Sequence, residues 1–133
     1  VRRPEVLYAM GIMMDELGQS DYATHCFLRV SEIEPVNAKN YYNLGKVLAA
    51  RGEMEDAQQF LDYALELEPK NSELVKNVLQ VYLNAGKPQI VLDTIDALSV
   101  GENTLKEMNL LKAKAYLKLW LKKLGNKKRL PCG

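Results

Sequence analysis

At 133 residues, 47% of them hydrophobic, the chain has the material for one domain with a continuous core. A formal net charge of +1 supplies no global field that would by itself select nucleic acid or an anionic membrane. No apolar run approaches the roughly 20 residues that span a bilayer, Val1 to Pro4 does not lead into a signal-peptide core, and Cys26 and Cys132 form neither a disulfide framework nor a metal spacing. The composition therefore reads as a soluble piece from a reducing, cytoplasmic setting. Its start at Val1 reads as a piece of a longer protein.

Taken in order, the chain predicts helix pairs. The first runs from Pro4 to Leu17 and Asp21 to Glu34, with Pro4 suited to a first helical turn. The second runs from Ala38 to Arg51 and Met54 to Glu68; Tyr41, Leu44, Gly45 and Leu48 recur at helical spacing, as do Ala57, Phe60, Leu61, Ala64, Leu65 and Leu67. Pro69 ends it, since the residue before a proline is pushed out of the helical region. The third runs from Ser72, read as an N-cap, to Ala85 and from Pro88 to Leu98.

These pairs keep a period of 34 residues. Gly11, Gly45 and Leu79 share one position, and Gly18, Gly52 and Gly86 share the turn, where a residue able to take positive φ ends the first helix. Ala23, Ala57 and Val91 follow in step, then Phe27, Leu61 and Ile95, then Val30, Ala64 and Leu98. Pro35 and Pro69 close the first two units. This pattern resembles the tetratricopeptide repeat family, over about residues 4 to 98. The resemblance implies an all-α solenoid of antiparallel helix pairs in a right-handed superhelix, with repeats at about 4–37, 38–71 and 72–103. Leu79 in place of Gly and the missing third closing Pro predict a looser third unit.

A terminal helix is expected over about 104–124, completing a single domain over 1–124. Projected from the same period, Ala113 falls at the small-residue position and Tyr116 at the family's Tyr position. Trp120 then stands where a turn glycine is due. Leu110, Leu117, Trp120, Leu121 and Leu124 are more apolar than a solvent-facing cap requires, which leaves two readings. The helix closes the stack as a cap, or it buries against a partner or a second copy as a homodimer. Residues 125–133 read as a basic, disordered tail.

Catalysis needs converging nucleophiles, bases or metal ligands, and the chain supplies few. His25 is the only histidine, and adjacent helix positions such as His25 and Cys26 point about 100° apart. The acids at Asp15, Glu16, Glu53, Glu55 and Asp56 read as solvated positions beside turns or helix starts. No phosphate-cradling loop is present. The sequence therefore predicts no enzyme, no cofactor, no metal and no small-molecule substrate.

A stacked repeat instead offers a concave face lined by the first helix of each pair. The family geometry implies Glu5, Tyr8, Ile12 and Asp15 there from the first unit, then Lys39, Tyr42, Asn43, Lys46 and Ala49, then Glu73, Lys76, Asn77, Gln80 and Asn84. Asn43 and Asn77 stand out, because an amide can donate to a carbonyl and accept from an N–H at once. Some family members clamp the terminal carboxylate of heat-shock chaperones with Lys, Asn and Arg on this face. Here Asn43 fits, but Tyr8, Ile12, Glu73 and Asn77 occupy the other clamp positions, which argues against that ligand. The implied function is a scaffold or adaptor that binds a protein segment, with a chaperone for secretion or assembly substrates as the alternative. The acid-free run after Glu107, with Lys112, Lys114, Lys118, Lys122 and Lys123, is a second alternative, for nucleic acid or an anionic surface. These lysines form no single stripe, and a solubilising face accounts for most of them.

Overall fold

The computed structural model describes residues 3–98 and 102–126, and among these residues all regular structure is helical. The helices are α1 (Pro4–Glu16), α2 (Ser20–Ile33), α3 (Ala38–Ala50), α4 (Met54–Leu67), α5 (Ser72–Asn84), α6 (Pro88–Ala97) and α7 (Glu102–Asn126). The six paired helices begin and end within one residue of the positions read from the sequence. Gly125 and Asn126 belong to α7, and the rest of the basic tail, 127–133, lies outside the described residues.

The bounds are sharp because local chemistry sets them. Gly18, Gly52 and Gly86 take φ of 78°, 84° and 74°, a region that glycine enters without a Cβ clash. The amide after each glycine then reaches back five residues. Gln19 donates to the Met14 carbonyl at 2.8 Å, Glu53 to Leu48 at 3.0 Å and Lys87 to Tyr82 at 2.9 Å. This Schellman closure satisfies carbonyls that a helix end would leave open. The helix starts use asparagine instead of the expected Ser72. Asn37 Oδ1 accepts from the Asn40 amide and Asn71 Oδ1 from the Leu74 amide, each at 3.1 Å. Ser72 is the first helical residue, because the side chain that reaches the free amides comes from the position before it.

The chain divides into two compact units, Val1–Val78 and Leu79–Gly133, with the division inside α5. In the first unit Ala23 and Phe27 of α2, Leu44, Val47 and Leu48 of α3 and Ala57 of α4 make one buried cluster, with Tyr8 and Ile12 packed on it. A Cβ on Gly11 would lie 2.6 Å from the Phe27 ring, and one on Gly45 would lie 2.5 Å from Leu61. The missing side chain is therefore what lets each pair close. Asn40, buried, donates through Nδ2 to the Phe27 carbonyl at 2.9 Å and ties α3 to α2. Its Oδ1 is a buried acceptor with no partner among the described residues. Glu55 and Asp56 sit in the first turn of α4 as expected. Asp15 and Glu16 do not: they fall in the last turn of α1, the disfavoured end of the helix dipole, where Lys46 stands 4.0 Å from Asp15.

In the second unit Leu79, Tyr82 and Val91 are wholly buried, and Ile95 and Met108 nearly so. Leu79 thus fills its position with a buried side chain. The third pair departs in length. α6 has ten residues where α2 and α4 have fourteen. α7 packs on α6, and its buried residues are Met108, Leu111 and Ala115. Ala113 and Tyr116, projected inward from the repeat, are exposed. With a shortened α6 and no closing proline to fix the entry, α7 presents a different stripe to its neighbour. Lys118 Nζ donates to the Leu83 carbonyl at 3.0 Å, a cation placed on the last turn of α5.

Candidate partner-binding groove

The first unit carries a groove of about 580 Å³ lined by Tyr8, Ile12, Lys39, Tyr42, Asn43, Glu68, Asn71, Glu73, Leu74 and Asn77. Helical spacing explains the lining: Tyr8 and Ile12 are one turn apart on α1, Lys39, Tyr42 and Asn43 follow steps of three and four on α3, and Glu73 and Asn77 do the same on α5. These seven come from the fourteen residues assigned to the concave face in the sequence.

The other seven do not line it. Lys46 pairs with Asp15 at 4.0 Å and stands 5.7 Å over the Tyr42 ring. Lys76 lies 3.9 Å from Glu73, its neighbour one turn back. Gln80 and Asn84, in the second unit, bond each other at 2.9 Å. Glu5 is exposed, and neither it nor Ala49 lines the groove. Conversely, Glu68, Asn71 and Leu74 line the groove without having been singled out. Two lie in the turn before α5 and the third faces inward from it, so a reading confined to outward positions of first helices passes over them. The N-cap role of Asn71 is the signal that could have placed it.

Polar groups in the groove are held rather than free to rotate. Asn43 is only 5% exposed, and its Nδ2 donates both to the Tyr8 hydroxyl at 2.6 Å and to the Lys39 carbonyl at 3.0 Å. With both N–H groups engaged, Asn43 offers its Oδ1 alone, and the expectation of an amide free to donate and accept is corrected. The Tyr8 oxygen accepts from Asn43 and keeps its own proton to donate. Burial pushes the Tyr8 hydroxyl above its ordinary pKa of 10.0, against the lowering effect of Asn43, and burial raises Tyr42 as well. Both rings therefore stay neutral at physiological pH. Asn71 Nδ2 donates to Glu68 Oε1 at 2.9 Å and fixes that carboxylate at the rim. The result is an aromatic and aliphatic floor with one cation, Lys39, against two carboxylates, Glu68 and Glu73. Such a surface suits a neutral or mixed-charge segment better than an acidic tail.

His25 is exposed and Cys26, beside it, is a buried free thiol. Among the described residues no group of three or more His, Cys, Asp or Glu is gathered to hold a metal ion, and no helix is long and apolar enough to cross a membrane.

The helix pairs, the glycine closures and the period define a helical-repeat protein. The repeat is of tetratricopeptide type: residues 38–71 match the tetratricopeptide repeat family model. Two solved structures of MamA share the fold. MamA of AMB-1 is 21% identical, with 71% of this chain and 51% of that chain covered and a TM-score of 0.58. A second crystal structure of MamA is 18% identical, with 92% of this chain and 61% of that chain covered and a TM-score of 0.60. The chain thus spans only 51% to 61% of the length of these proteins. No curated protein matches it.

Proposed function

We propose that the chain is a non-enzymatic scaffold or adaptor that receives a short segment of a partner protein in the groove of its first unit. The observation that carries this reading is the convergence of seven residues from three helices on one groove, with the Tyr8 hydroxyl as donor and Asn43 Oδ1 as acceptor already oriented by their mutual bond. Oriented groups lose less freedom on binding, so more of the contact energy appears as affinity. Asn77, part-exposed and one period on from Asn43, supplies an amide for a backbone crossing the groove.

Asn43 itself is a poor probe, since its removal breaks two internal bonds. Asn77 is the better one. Peptides selected from a random displayed library should lose about 1 kcal/mol, or roughly fivefold in Kd, against Asn77→Ala. They should lose all measurable affinity against Asn77→Arg, which fills the groove. The melting temperature should stay unchanged in both. Selected peptides that bind Asn77→Arg as well as wild type would remove the groove assignment. A chaperone would use the same groove and differ in release: it would let its client go and suppress client aggregation, where a scaffold retains its partner.

A further inference from the structure

α7 is apolar on two sides. Met108, Leu111 and Ala115 face inward and are buried, whereas Leu110, Leu117, Trp120 and Leu121 are 65%, 53%, 58% and 53% exposed. At 100° per residue the two sets lie about 160° apart around the helix, so no single packing partner can cover both. Leu110, Leu117 and Leu124 stand seven residues apart, and Trp120 lies three after Leu117. This is an a/d-type stripe over two heptads, with Leu110, Leu117 and Leu124 at a and Ala113 and Trp120 at d. Past Ala115 no described side chain of α7 is buried, so the seam is presented rather than packed.

The flanks of the seam indicate what it takes. In the heptad set by Leu110 and Leu117 the e and g positions are Lys114, Tyr116, Leu121 and Lys123, so the charged flanks on α7 itself are lysines, with Asp96 of α6 lining the same cavity as Lys123. No Asp or Glu occurs after Glu107, and the chain beyond α7 adds Lys127, Lys128 and Arg129. A second α7 would bring lysines against lysines, and the chain's own end is equally basic; like charges in close register oppose both. We propose that this outer face docks an amphipathic helix of a partner protein with leucine-type residues in its seam and glutamates on its flanks, a surface separate from the groove of the first unit.

Trp120 is the only tryptophan in the chain, so its emission reports this part of α7, where it also lines a cavity with Leu92 and Asp96 of α6. The test uses two synthetic helical peptides of about three heptads, with Leu at a and d, and either Glu or Lys at e and g. The Glu-flanked peptide should shift Trp120 emission to the blue and bind at least about tenfold more tightly than the Lys-flanked one at low salt, the difference shrinking as salt is added. Leu117→Glu, an exposed substitution, should abolish the shift while the helical circular dichroism is kept. The double variant Lys114→Glu with Lys123→Glu should reverse the preference. Equal affinity for both peptides, or an unreversed preference, overturns the proposal. So does a concentration-dependent dimer of the protein alone that Leu117→Glu dissolves, which would make a second copy the occupant. A blue shift given by phosphatidylserine vesicles and by neither peptide would overturn it in favour of a lipid surface.

Discussion

α3 and α7 are both helices with apolar residues on more than one side, yet only α3 has them covered. Eight of the thirteen residues of α3 are buried, because α2 and α4 both pack on it and take different sides. α7 has twenty-five residues and, within its unit, packs on α6. Its described side chains include three buried ones, Met108, Leu111 and Ala115. A repeat sequence writes apolar residues wherever a neighbouring helix will cover them. The second apolar side of α7 is written in the same way without a described neighbour in its unit to cover it, and that is the ground for proposing a contact surface there.

The largest effects should come from the covered sides. Phe27→Ala removes a wholly buried ring that meets Tyr8 at 5.9 Å between centroids, and should cost about 3–5 kcal/mol in urea denaturation. Leu111→Ala, on the inner side of α7, should cost about 2–5 kcal/mol by the same mechanism. A loss within about 0.5 kcal/mol, the ordinary surface range, at Leu111 would mean that the inner side of α7 is not packed, and the contrast between its two sides would disappear.

A smaller effect separates Gly45 from Leu79, which share one repeat position. A methyl group at Gly45 meets Leu61 and the Ala57 carbonyl, the latter at 3.1 Å and on backbone that cannot swing aside. Gly45→Ala should therefore destabilise by about 1–3 kcal/mol as overpacking, read as a lower urea midpoint. At Leu79 the same position is filled by a buried side chain, so the close approach belongs to the first two helix pairs and not to the period as such. A neutral Gly45→Ala would show that α3 and α4 can separate without loss.

How much of this was legible in the sequence follows from how local its causes are. The bounds of the six paired helices were readable to within a residue because Gly18, Gly52, Gly86 and the prolines act through their own φ angles and missing donors, whereas α7, without such signals, runs two residues further at each end than the expected 104–124. The groove was readable in part. Tyr8, Tyr42, Asn43 and Asn77 announce themselves by spacing, but whether Asn43 is free or bonded depends on Tyr8, thirty-five positions away. Asn40 was invisible for the same reason: nothing in its local sequence says that its amide will meet the Phe27 carbonyl. The register of α7 misled because a period carries information about orientation only while the preceding helix keeps its length, and α6 stops four residues short of α2 and α4.

The smallest expected effect is the most pointed. Leu117→Ala removes a large apolar side chain, as Leu111→Ala does six positions earlier, but Leu117 is 53% exposed where Leu111 is 7%. If α7 presents its seam to solvent in the isolated chain, the folded state gives up almost no buried area, and the urea midpoint should correspond to a change within about 0.5 kcal/mol. Helix propensity adds little, since Ala ranks above Leu by only a few tenths of a kcal/mol at most. A cost of about 2 kcal/mol, typical of a buried leucine, would show that something covers Leu117 in the free protein. Repeating the measurement over a wide range of protein concentration then separates the sources. A cost that vanishes on dilution comes from a second copy, whereas one that persists comes from the chain itself, and either result would leave the seam closed to a partner helix.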